Sequence, residues 1–105
     1  MLLRMTGNST QTSYVSVTGL SGVGTIRFWC QDYSSTGPRR ATVAVGSDVR
    51  VVDLERDCNY GRVLTFIFND SSASSFRIAP VAGLGNNTES RFYLDVLSWS
   101  YACEP

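Results

Sequence analysis

The residues that could do chemistry are few and fall into three groups. Asp53, Glu55, Asp57 and Asn59 alternate ahead of Gly61, an oxygen-rich spacing of the kind that holds a calcium ion. It does not complete an EF-hand, because Cys58 stands where the loop needs glycine and Leu64 where it needs a bidentate glutamate. The other reading of this stretch is a solvated strand end running into a turn. A glycosidase would pair two carboxylates, yet the chain's only glutamates are Glu55, Glu89 and Glu104.

The second group is Cys30, Cys58 and Cys103. There is no C-x-x-C and no zinc spacing. Two arrangements stay open. All three can be small buried hydrophobes in a reduced chain. Alternatively one pair forms a disulfide and the third thiol is spare, with Cys103 near the C-terminus best placed to pair between chains. The third group is aromatic: Trp29, Tyr93, Trp99 and Tyr101, with Leu97 among them. Such residues serve as a stacking platform for sugars, as anchors of a protein interface, or as ordinary core.

Two residue types are missing altogether. The chain has no histidine and no lysine, and its nine basic residues are all arginine. Without histidine there is no side chain that titrates near neutrality unperturbed. The fourteen serines therefore cannot build a Ser-His-Asp triad, and the cysteines lack their usual base. Without lysine there is no Schiff base. The reading is a chain that is not an enzyme and needs no cofactor. Nine acidic residues balance the nine arginines, so the net charge is zero. That argues against a nucleic-acid partner, which would call for a clustered positive excess. It also leaves copies of the chain free to approach one another. No apolar run approaches the ~20 residues of a membrane-spanning helix, and Met1-Leu2-Leu3-Arg4-Met5 is too short for the apolar core of a signal peptide.

The elements that must position these groups are strands. Apolar residues recur with period two almost throughout. Seven strand candidates follow: 14–18, 25–30, 41–45, 49–54, 62–68, 75–78 and 91–103. Gly46-Ser47-Asp48 predicts a hairpin between the third and fourth. Asn69-Asp70-Ser71-Ser72 predicts a turn. The run 62–68 is the most apolar and reads as a central strand. No window carries a capped helical stripe. The pattern predicts one domain over 1–105, an all-β, Greek-key-type sandwich or small barrel of about seven antiparallel strands.

The last run poses a question of facing. Phe92, Leu94 and Val96 share one face, while Tyr93, Leu97, Trp99 and Tyr101 share the other, so neither face is polar. Either a bulge switches the faces midway, or the second face is covered by another copy of the chain or by a partner.

Two segments resemble known families. Phe68 to Ile78 resembles the segment that closes a βγ-crystallin Greek key, and Leu54-Glu55-Arg56 with Asn59-Tyr60-Gly61 resembles its opening; the likeness spans residues 54–78. Tyr101-Ala102-Cys103 is similar to the end of the F strand of an immunoglobulin domain, which implies Cys30 as the earlier partner of Cys103. Neither brings a function with it. The leading expectation is a structural or interaction module in a larger assembly, such as a virion surface, a capsid decoration or a filament, with partners that are further copies or other protein subunits. The alternative is a small secreted binding protein: a carbohydrate-binding module, or an inhibitor- or toxin-like β domain. Either places the chain on a virion or outside the cell.

Overall fold

Alternation at period two becomes eight strands in the computed structural model, which describes residues 3–7, 13–32, 40–81 and 90–101. They are β1 (Leu3–Gly7), β2 (Val15–Val17), β3 (Val23–Asp32), β4 (Arg40–Val45), β5 (Asp48–Asp53), β6 (Arg62–Asp70), β7 (Phe76–Pro80) and β8 (Ser90–Trp99). Two four-stranded sheets form, ordered β1-β8-β3-β6 and β2-β7-β4-β5. Every neighbouring pair is antiparallel. This order is that of a jelly roll, two Greek keys wrapped into facing sheets. The chain is an all-β sandwich, as the period predicts. The strand absent from the sequence reading is β1.

The core lies between the sheets. Ile26, Phe28 and Cys30 of β3, Phe92 and Leu94 of β8, Val43 and Val45 of β4, and Phe76 and Ile78 of β7 are all buried there. The run 62–68 is not central. It forms β6, at the edge of its sheet, and among the described residues it pairs with β3 alone. Its apolarity is real on both faces, but only Leu64, Phe66 and Phe68 pack against the core, while Val63 and Ile67 point to solvent.

The connections follow local chemistry. β4 and β5 form the predicted hairpin, with Val45 opposite Asp48 and Gly46 at φ 58°. A two-residue hairpin turn needs that left-handed value at its first central position. At the β6–β7 corner the Asp70 carboxylate accepts from the Ser72 hydroxyl at 2.8 Å, the Ser72 N–H at 2.9 Å and the Ala73 N–H at 3.1 Å. The Ser72 hydroxyl bond, first among these, holds the Asp70 carboxyl below its ordinary pKa.

β5 runs into a single helical turn, α1 (Leu54–Asp57). Asp53 caps it by accepting from the Arg56 N–H at 3.2 Å. Behind α1, Cys58 is joined to Cys30 by a disulfide that ties the β5–β6 connection to β3. The Cα atoms are 5.3 Å apart, within the range a disulfide spans. Cys30 therefore pairs with Cys58, not with Cys103 as the immunoglobulin likeness implies. Cys103 lies outside the described residues.

In β8 a bulge switches the faces. Arg27 of β3 opposes Ser98 and Trp29 opposes Asp95, so Val96 and Leu97 together oppose Phe28. Leu97 joins the core and Val96 turns out at φ 51°.

Candidate interaction surface

The bulge decides where the aromatic group stands. Before it, Tyr93 points outward beside Gln31, and Trp29 of β3 points outward between Val63 and Asp95. After it, Leu97 and Trp99 turn toward the core. The Trp99 ring meets Phe76 of the opposite sheet edge-on, with centroids 5.5 Å apart. Tyr101 follows β8 and is exposed. The five expected site residues thus divide between two faces: Trp29 and Tyr93 outside, Leu97 and Trp99 inside, with Tyr101 beyond the strand. They do not make one flat platform. Trp29 is half-buried because its indole lies over Gly61, where an added Cβ would come within 2.8 Å of the ring.

The exposed apolar surface is elsewhere. On the outer face of sheet β1-β8-β3-β6, Val96, Val63 and Ile67 are 73%, 55% and 67% exposed. Across the strands Trp29 lies between Val63 of β6 and Asp95 of β8, and Val96 follows Asp95 in the bulge, so the apolar side chains of this face are spread over β8, β3 and β6. Arg27 stands next along β3, its Nε donating to the Thr65 hydroxyl at 3.2 Å. Beside it a groove of about 330 Å³ is lined by Thr25, Arg27, Ser98, Trp99 and Ser100. Val63 and Ile67 were legible as the second face of an apolar run. The exposure of Val96 was not, because it depends on where the bulge falls.

The acidic group is spent on local structure. Asp53 caps α1, and Asp57 accepts from the backbone N–H of Asp53 at 3.1 Å. Asp57 also pairs with the Arg56 guanidinium at 2.9 Å, and that bond, chiefly, holds its carboxyl below the ordinary value. Glu55 and Asn59 are exposed. Among the described residues no group of three His, Cys, Asp or Glu side chains converges to hold a metal ion. On the rim of the other sheet Asp48 and Arg50 form a two-bond ion pair, both bonds 2.9 Å long. This pair holds the Asp48 carboxyl low. Among the described residues no helix is long and apolar enough to cross a membrane. No family model matches the chain, and no curated protein or solved structure shows significant similarity to it.

Proposed function

We propose that the chain is a non-enzymatic structural module that assembles with further copies or with other protein subunits, as virion-surface, capsid-decoration and filament proteins do. The observation that carries this reading is Val96. A β-branched residue in the left-handed region is a genuine outlier, and such backbone strain costs about 1–3 kcal/mol. Here the strain presents an apolar side chain to solvent instead of burying it, on the same outer face as Trp29 and Val63. That arrangement makes physical sense when a partner covers this face. Zero net charge supports the same reading, since copies do not repel. Jelly rolls occur in capsid and lectin domains alike, so the architecture fits without assigning a role.

Val96→Asn tests it. Asparagine tolerates the left-handed conformation and removes the isopropyl group. The expected outcome is equal or higher thermal stability together with a lower assembled mass by light scattering. An assembly of unchanged mass would show that this face is not the contact.

The second reading, a small secreted binding protein, is favoured by the Cys30–Cys58 disulfide, because such bonds persist in oxidising compartments. It calls for a monomer that binds an immobilised glycan or a protein target, with Val96→Asn leaving its mass unaltered.

A further inference from the structure

β6 is a long strand with one side open. Among the described residues it pairs with β3 alone. Proteins blunt such edges with short strands, lysines, prolines or bulges. The edges on the opposite flank follow that rule, since β1 has five residues and β2 three. β5 is six residues long and carries Asp48, Arg50 and Asp53. β6 has nine residues and no proline, and its bulge falls after Ile67, where Asn69 is at φ 49°, so the stretch from Arg62 to Ile67 is regular.

We propose that β6 pairs antiparallel with β6 of a second copy, about a two-fold axis at Thr65, joining two four-stranded sheets into one of eight. The inference rests on the assembly reading above and names its partner. The strand is self-complementary about Thr65. Val63 then faces Ile67 of the second copy on the outer side, and Leu64 faces Phe66 on the inner side. The open edge is marked by the Ile67 carbonyl, which accepts from Arg50 Nη2 of β5 at 3.2 Å. That carbonyl therefore points off the edge and keeps a second lone pair for an N–H of the copy. The same residue parity, Val63, Thr65 and Ile67, meets across this axis, as antiparallel hydrogen-bonded pairs require. The contact is isologous, the commonest symmetry of homo-oligomers.

Sedimentation of the full chain and three variants, with Val96→Asn in parallel, tests the pairing. Ile67→Lys and Val63→Asp each place a charge against an apolar partner, at side chains that are exposed in the single chain, so circular dichroism should be unchanged. Each is expected to halve the assembled mass. The double variant Val63→Asp/Ile67→Lys is expected to restore it, because the introduced carboxylate and ammonium face each other twice across the axis. An assembly that keeps its mass in Ile67→Lys but loses it in Val96→Asn overturns the strand pairing and leaves the assembly reading standing. Single variants that dissociate with no recovery in the double variant overturn the Thr65 register. A wild type that is monomeric at every concentration overturns the pairing and self-assembly with it.

Discussion

Trp99 and Phe76 meet edge-on across the sandwich, with ring centroids 5.5 Å apart and planes inclined by 64°. The contact joins β8 to β7 and gives Trp99 a place inside its own protomer, although the ring is still 42% exposed. We expect Trp99→Ala to cost about 2 kcal/mol, less than the 3–5 kcal/mol of a fully buried ring but including an aromatic-pair contribution of about 1 kcal/mol. Tyr101→Ser, at a residue that is 60% exposed, should cost no more than about 0.5 kcal/mol. Urea unfolding of the two variants checks the contrast. Equal midpoints would mean that the Trp99 ring is not packed on Phe76.

Much of this was legible in the chain, and what was not has identifiable causes. The period of two, the Gly46 hairpin and the Asp70 turn are local signals, and each is found where the sequence puts it. β6 reads as central because apolarity on both faces looks the same at a hydrophobic edge as in a buried strand. Asp53 to Asn59 reads as a strand end because a four-residue helix is too short to show a 3.6 period. The Cys30–Cys58 pairing depends on bringing residues 28 positions apart together, which no spacing rule supplies. The facing of Leu97 and Trp99 turns on one extra residue in β8, and a single inserted residue inverts every side chain beyond it.

Phe28 and Phe66 separate the two positions of the strands in one sheet. Their rings stack at 6.0 Å with a 20° tilt. Phe28, in the interior strand β3, is 2% exposed, whereas Phe66, on the edge strand β6, is half-buried. Phe28→Ala should cost about 3–5 kcal/mol and Phe66→Ala about 2–3 kcal/mol. A larger loss at Phe66 than at Phe28 in chemical denaturation would return β6 to the centre of the core.

The Cys30–Cys58 disulfide closes a loop with a sequence separation of 28, and both cysteines are fully buried. Chain-entropy arguments give a loop of this size a stabilisation on the order of 3–4 kcal/mol. The double variant Cys30→Ala/Cys58→Ala should therefore lose most of that amount, and reductant should lower the unfolding midpoint of the wild type but not of the variant. An unchanged wild-type midpoint in reductant would mean the bond is not formed in solution.

The pH profile should be set by aspartates. Asp48, held low by its bonds to Arg50, Asp57 by its bond to Arg56, and Asp70 by the Ser72 hydroxyl all have folded pKa values below their unfolded ones. The unfolded chain therefore binds more protons in the acid range. Stability is fully present above the unfolded carboxylate value of about 4 and falls as pH drops through the folded values. With no histidine in the chain, stability should stay flat between about pH 5 and 8. A thermal midpoint that moves by several degrees within that flat range would contradict the assignment.

Gly24 is the point at which the segment after β8 is fixed to β3. Its N–H donates to the Ser100 carbonyl at 2.7 Å, the Ser100 N–H donates to the Thr25 carbonyl at 2.9 Å, and the Thr25 N–H donates to the Ser100 hydroxyl at 3.1 Å. A Cβ on Gly24 would sit within 2.8 Å of the Tyr101 carbonyl carbon and 2.9 Å of the Ser100 hydroxyl. Backbone cannot yield as a flexible side chain does, so Gly24→Ala must displace the segment and break these bonds. At about 1 kcal/mol for each hydrogen bond, we expect a loss of about 2–3 kcal/mol. The Thr25 and Ser100 amides should also exchange faster with solvent. Ser100→Ala removes only the hydroxyl and should cost about 1 kcal/mol. Gly19→Ala is the control for a different cause, because nothing lies within 4 Å of an added Cβ there, yet φ is +74°. Its cost of about 1–2 kcal/mol should come without any change in exchange at Thr25. If Gly24→Ala leaves those amides as protected as in the wild type, Ser100 and Tyr101 are not docked on β3 and the groove beside Arg27 loses one wall.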